Sequence, residues 1–230
     1  HDFILCVFKD HTGVLWIGTG NEGLNRYYPE TDHFRSFKPD PGITGYSNNI
    51  RDIYEDERGI LWIATSQGLF KFDRQTEDFT KIKLSPYLKD NIGLMMIHMI
   101  TQDHDGTLLL GTEYGFLQYN TVKDELDLSY LYFNKDARLG YIDLVVDPED
   151  PNRYFWFLFH GLFNYDKLTG ITTQVTDHDP KNPFDIHGTS LVSIDFDKTG
   201  VMWIPGNWGL NISVPELDQM NESLGFKEKY

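Results

Sequence analysis

The chain has 230 residues, 15% of them aromatic and 24% charged, with a net charge of −15. That balance disfavours nucleic acid and anionic lipid as partners, because both need cationic surfaces. Cys6 is the single cysteine, so there is no internal disulfide framework, and no run of about 18 apolar residues is present to cross a bilayer.

In chain order, residues 3–8 read as a strand, with Cys6 expected inside it as a small buried hydrophobe. The turn Asp10-His11-Thr12-Gly13 follows, then Val14-Leu15-Trp16-Ile17-Gly18-Thr19 and a Gly23-Leu24 step. After an irregular link at 38–47, the same phrase returns. Residues 50–55 lead into Asp56-Glu57-Arg58-Gly59, and 60–65, 69–73 and 78–83 read as three further strands. These runs are rich in β-branched and aromatic residues and are bounded by turn residues. A link at 84–91 precedes the third copy, Asp103-His104-Asp105-Gly106, with Leu109 in place of tryptophan. The fourth copy is degraded. Asp150-Pro151-Asn152-Arg153 stands for the turn, and Trp156 and Gly161-Leu162-Phe163-Asn164-Tyr165 remain. After a link at 177–188 the fifth copy carries Asp197-Lys198-Thr199-Gly200 and Trp203, with Pro205 at the usual glycine position.

Aligning Trp16, Trp62, Leu109, Trp156 and Trp203 gives spacings of 46, 47, 47 and 47 residues. In each turn, Asp is expected to accept backbone N–H groups and Gly to adopt a positive φ. Leu61-Trp62-Ile63 is apolar without alternation, so both faces of that strand need cover, which one unit cannot supply to itself. No stretch carries a helical period. Four-stranded units of this length, stacked face to face, make an all-β chain and a β-propeller. The expected blades are 1–47, 48–93, 94–140, 141–188 and 189–230, and the repeated tryptophans are expected in the core.

The segment "EDERGILWIATSQGLFKFDRQTEDFTKI" resembles the two-component regulator propeller repeat: acid-x-x-Gly-x-Leu-Trp-Ile-Gly-Thr, a short loop, Gly-Leu, an aromatic strand and a Thr-containing turn. The first two copies match it almost throughout; the third lacks the tryptophan and the fourth departs most. The resemblance implies the periplasmic sensor domain of a Bacteroidetes-type hybrid two-component histidine kinase, with a membrane helix and kinase elsewhere in the parent. It implies about fourteen repeats in seven-bladed arrays, so the chain is expected to be a piece of a larger array rather than a closed five-bladed ring. It also implies carbohydrate sensing, with an oligosaccharide or other small ligand, the rest of the sensor ectodomain and a homodimer partner as the expected partners.

The loop after each tryptophan strand and the long link between units are expected to share one face. That face supplies Glu22, Gln67, Tyr114, Arg138, His160, His187 and Trp208 as candidate ligand-binding residues: aromatics to stack on sugar rings, and polar groups to bond hydroxyls. Each has a plainer reading. Trp208 can cover its blade, His160 can bond backbone, and Arg138 can pair with Asp136 or Asp143. Asn48-Asn49 is expected to be a turn device. Asp103-His104-Asp105 resembles a metal cluster, but Asp103 holds the repeated turn position. No metal, cofactor or catalytic residue is expected in this segment. A propeller glycoside hydrolase or polysaccharide lyase, and a protein-interaction platform, are the alternative functions.

Overall fold

The computed structural model describes residues 3–40, 42, 48–83, 96–113, 115–127, 143–158, 161–174, 193–206, 209–213 and 226–229. Among these, twenty strands form five four-stranded antiparallel sheets. The first contains β1 (Ile4–Lys9), β2 (Leu15–Thr19), β3 (Leu24–Tyr28) and β4 (His33–Phe37). The second contains β5 (Ile50–Glu55), β6 (Leu61–Thr65), β7 (Gly68–Phe72) and β8 (Phe79–Lys81). The third contains β9 (Ile97–Gln102), β10 (Leu108–Thr112), β11 (Gly115–Asn120) and β12 (Glu125–Asp127). The fourth contains β13 (Asp143–Val146), β14 (Arg153–Leu158), β15 (Gly161–Asp166) and β16 (Ile171–Gln174). The fifth contains β17 (Asp195–Phe196), β18 (Met202–Gly206), β19 (Gly209–Ser213) and β20 (Phe226–Lys229). Every sheet is a meander in sequence order, as expected of propeller blades. The chain divides into two compact units, His1–Arg138 with the first three blades and Leu139–Tyr230 with the last two.

The two-sided apolar strand explains the stacking. In β6, Leu61 and Ile63 face the first blade and pack with Trp16, Leu24, Phe37, Ile50, Ile53, Phe70 and Phe72. Trp62 and Ala64 face the third blade and pack with Leu69, Ile97, Ile100, Leu108, Leu110 and Tyr119. The indoles of the first two blades each meet an aromatic of the next blade edge-on: Trp16 with Phe72 at 5.5 Å, and Trp62 with Tyr119 at 5.6 Å. The cover comes from the preceding blade. Ile50 and Ile53 are 0% and 3% exposed, whereas Ile4 and Val7 at the equivalent positions of β1 are 61% and 59% exposed. Gly18 marks a close approach of the first two blades: a Cβ there would press on Cys6 Sγ within its own blade and lie 2.8 Å from Ile50 Cγ2 and 2.9 Å from Ile50 O.

The second unit repeats this packing with a shift that the sequence conceals. Leu158 pairs with Gly161, Phe157 with Leu162 and Phe155 with Asn164. In the second blade Thr65 pairs with Gly68, Ala64 with Leu69 and Trp62 with Lys71. Phe155, not Trp156, thus occupies the repeated tryptophan position. Phe155 packs with Phe157, Leu162, Ile194, Met202 and Ile204, while Trp156 points to the opposite face and stacks on Phe163 at 4.5 Å. The equivalent spacings become 46, 47, 46 and 48. The cause is the hairpin before it. Asp147 N–H donates to Arg153 O, closing a loop two residues longer than that closed by Asp10 N–H on Val14 O.

The Asp-x-x-Gly turns do more than reverse the chain. Asp10 Oδ1 accepts the N–H groups of Thr12 and Val14 at 3.0 Å each, and Oδ2 accepts Trp16 Nε1 at 2.9 Å. Asp56 accepts Trp62 Nε1 at 3.0 Å and Asp197 accepts Trp203 Nε1 at 2.8 Å. A buried indole N–H needs a partner, and the turn carboxylate six residues earlier supplies it. Where the hairpin is longer, the position holds phenylalanine, which has no N–H to satisfy; Leu109 does the same in the third blade. The turn glycines adopt the expected positive φ, 87° at Gly13 and 76° at Gly59. Trp16 and Trp62 are in the core, and Trp203 is half-buried. Cys6 is half-buried too, and burial is the main force pushing its thiol up to about 12.

Burial alone would raise the Asp10 carboxyl. Hydrogen bonds from Thr12 Oγ1, Trp16 Nε1 and Val14 N–H, with the Arg74 guanidinium, outweigh it and hold the group at about 2, below the ordinary 3.8. A depressed carboxylate stabilises the fold above its unfolded value, and that contribution is lost as pH falls from about 4 towards 2. Asp10→Asn is expected to cost about 1–3 kcal/mol near neutral pH and to flatten the acid limb; urea unfolding at neutral and acid pH reads both. Gly18→Val is expected to cost about 1–3 kcal/mol by overpacking, read in the same way.

Candidate functional site

The first strands of neighbouring blades lie side by side in the first unit, β1 beside β5 and β5 beside β9. All three carry the same irregularity. Ile4 pairs with Thr19 and Cys6 with Gly18; Ile50 pairs with Thr65 and Asp52 with Ala64; Ile97 pairs with Thr112 and Met99 with Gly111. Leu5, Arg51 and His98 are therefore the extra residues of three equivalent β-bulges. A bulge takes its residue out of the ladder and re-aims the side chain.

The bulge residues of the second and third blades meet. Arg51 Nη1 lies 3.1 Å from His98 Nδ1, and Arg51 Nε donates to Ser66 Oγ at 3.2 Å. A guanidinium only donates, so Nδ1 is the acceptor and the imidazole proton sits on Nε2. His98 and Ser66 are buried and Arg51 is half-buried. Burial first, and the Arg51 charge second, push the His98 imidazole down to about 4, so it is neutral near pH 7. The blade boundary beneath is fixed by Asp52, whose Oδ2 accepts Ile100 N–H at 2.7 Å while Oδ1 accepts Ile53 N–H at 2.8 Å. In the second unit Asp143 does the same for Ile194, at 3.0 Å.

Ser66 leads into Gln67, in the hairpin loop between β6 and β7. Thr65 Oγ1 closes this loop on Gly68 O at 2.8 Å and accepts Gln67 N–H at 3.0 Å. Gln67, the residue after Ser66, is exposed. Glu22 occupies the matching loop between β2 and β3, where Thr19 Oγ1 accepts its N–H at 3.1 Å, and its carboxylate pairs with Lys38 Nζ at 2.7 Å. Tyr114, Arg138, His160, His187 and Trp208 lie outside the described residues. Asn48 is a link-closing device: its amide accepts Asp40 N–H at 3.1 Å and donates to Asp40 O at 3.2 Å. Arg51 and His98 were not among the sequence candidates. Their signal is present, as a polar residue after Ile50 and after Ile97, but a one-residue bulge leaves no mark on an alternation pattern.

The turn end of the second blade offers an open groove of about 500 Å³ lined by Ile60, Lys71, Phe72, Arg74, Gln75 and Thr80. Its Arg74 is committed to structure, donating to Asp10 Oδ2 at 3.2 Å and pairing with Glu55 and Gly59 O. The Asp103-His104-Asp105 cluster is likewise a turn: Asp103 Oδ1 accepts His104 N–H and Asp105 Oδ1 accepts Thr107 N–H. Among the described residues no group of His, Cys, Asp and Glu is placed to hold a metal, and no helix is long and apolar enough to cross a membrane.

The family model described as "Two component regulator propeller" matches residues 1–21 and 47–67. These are the bulged first strand, the Asp-x-x-Gly hairpin and the tryptophan strand of the first two blades. The first two blades match the two-component regulator propeller repeat in those segments. Among curated proteins, histidine kinase P4 of Formosa agariphila is 28% identical over 95 residues, which is 40% of this chain and 7% of that protein. Among solved structures, the extracellular domains of two hybrid two-component systems of B. thetaiotaomicron share the fold. One is 19% identical over 86% of this chain, with a TM-score of 0.71; the other is 19% identical over 97%, with a TM-score of 0.70. This chain spans 25% and 28% of those domains. Virginiamycin B lyase of Staphylococcus aureus has the same fold at 10% identity, over 98% of this chain and 70% of its own, with a TM-score of 0.70. The bulge precedes each of the two matched hairpins, with Leu5 in one and Arg51 in the other, and His98 holds the equivalent place in the third blade.

The His98 midpoint is expected well below the ordinary 6.5. Arg51→Gln is expected to move it up without restoring it to that value, since burial remains; histidine NMR resonances followed against pH check both statements.

Proposed function

We propose that this chain is a ligand-sensing propeller segment of a membrane-bound hybrid two-component sensor, exposed outside the cytoplasm, and that its ligand is an oligosaccharide. The observation that carries the reading is the row of bulges. It takes Leu5, Arg51 and His98 out of the regular ladders of three neighbouring first strands, and Arg51 bonds Ser66, the residue before Gln67. A few placed polar groups beside an apolar one suit a small hydroxyl-rich ligand. The propeller-repeat match and the likeness to sensor ectodomains support the sensor role. The rest of the ectodomain, a second copy and a kinase in the parent would convert binding into output, and binding shifts such an output only through unequal affinity for its two states.

Calorimetric titration of the 230-residue chain with a panel of oligosaccharides is expected to give saturable heat with at least one, and chromatography of the mixture to show the sugar unchanged. Absence of heat across the panel overturns the ligand class. Cleavage of the sugar, lost on changing one acid, moves the reading to a propeller hydrolase or lyase.

A further inference from the structure

We propose that the open face of the first blade docks a second copy of this chain, which presents the tryptophan face of its fifth blade. The inference goes beyond the ligand reading and does not depend on it.

Among the described residues, one kind of blade contact is made three times. A tryptophan face, carrying the residue at the repeated tryptophan position, covers a receiving face, carrying the residues on either side of that position. The first blade covers the second in this way, the second covers the third, and the fourth, through Phe155, covers the fifth.

Within the first unit, one receiving face stands open. Register places Val7, Ile17, Tyr27 and Phe34 where the second blade has Ile53, Ile63, Phe72 and Phe79. The second set is packed against the first blade. Val7 and Phe34 are instead 59% and 54% exposed, and Ile17 and Tyr27 are half-buried. Asn25 stands at the place of Phe70 and adds no unmet polar group: its amide donates to Ile17 O and Gly23 O and accepts from Ser36 Oγ. An apolar face of this kind marks an interaction surface.

Within the second unit, the open face is a tryptophan face. Met202 and Ile204 of β18 pack on the fourth blade, so Trp203 and Pro205 project from the other side of the strand. Leu210 pairs with Pro205 and shares that side. All three are half-buried. Trp16 and Trp62, at the place of Trp203, and Leu24 and Leu69, at the place of Leu210, are at most 1% exposed under a neighbouring blade. One copy therefore offers the half that another copy lacks. The contact repeats a pairing that the chain already uses internally, and it is heterologous: each copy gives one face and takes the other.

Sedimentation velocity of the 230-residue chain, from micromolar up to its highest soluble concentration, is the test. The sedimentation coefficient is expected to rise with concentration. It is expected to rise further with added salt, because screening relieves the repulsion between copies of net charge −15. Val7→Glu with Phe34→Glu blocks the receiving face at two exposed positions, and Leu210→Glu blocks the tryptophan face. Each variant alone is expected to associate about ten-fold or more weakly. Mixed in equal amounts, the two are expected to regain association and to stop at a dimer, since each keeps the face the other has lost. Unfolding midpoints separate a lost contact from a lost fold. A chain that is monomeric at every concentration overturns the proposal, as does association that both variants retain, or a mixture that stays monomeric. If the chain is monomeric and β1 amides gain protection from exchange only within a longer polypeptide, the face belongs to another repeat of that polypeptide and the second copy is ruled out. Sugar binding is read separately by calorimetry, so failure here leaves the ligand reading standing.

Discussion

A strand with large apolar side chains on both faces cannot lie at the surface, and everything else in this chain follows from covering it. Leu61 and Ile63 on one side and Trp62 and Ala64 on the other leave β6 stable only between two other sheets. The neighbours carry the same strand and make the same demand, so blades stack in series. The contrast between Ile50 and Ile4, one pattern position apart by a blade, shows that the neighbour supplies the burial and the residue type does not guarantee it. Burying an indole brings its N–H inside as well, and that polar atom is what ties the aspartate of the turn to the tryptophan of the strand.

The polar accounting also explains how far a blade departs from its consensus. The fourth hairpin is longer by two residues, its carboxylate is no longer six residues ahead of an indole in the core position, and the core position holds Phe155. The change in loop length and the change in side chain are one event. Trp156, one residue on, is buried on the other face and stacks on Phe163, so a tryptophan is present in the blade without doing the work of Trp62.

Much of this architecture was legible. The Asp-x-x-Gly turns, the apolar second strand and the Gly-Leu return are local signals, and each strand of the second blade lies where its residues place it. Leu109 was placed correctly without a tryptophan, because its flanking Asp103-x-x-Gly106 and Gly111-Thr112 are intact. Phe155 is concealed in the sequence because its neighbour Trp156 keeps the even 47-residue spacing, although Phe155 holds the equivalent ladder position. The site was harder. Gln67 emerges as a candidate because loops after the tryptophan strand vary freely, and its N–H is held by Thr65 Oγ1. Arg51 and His98 did not, since their meeting depends on two bulges in two blades 47 residues apart, and no pattern within one blade encodes a contact between blades.

The latch between the turn aspartate and the indole joins groups only six residues apart. Such a contact closes a very short loop, so it forms early and at small entropic cost, well before sheets can be assembled from distant parts of the chain. A hairpin fastened in this way emerges from the ribosome with its register already chosen, and presents the next one with a template. In that sense the carboxylate acts as a timing device: it lets an array of near-identical sheets add one member at a time and limits the chance that strands of the wrong copies pair.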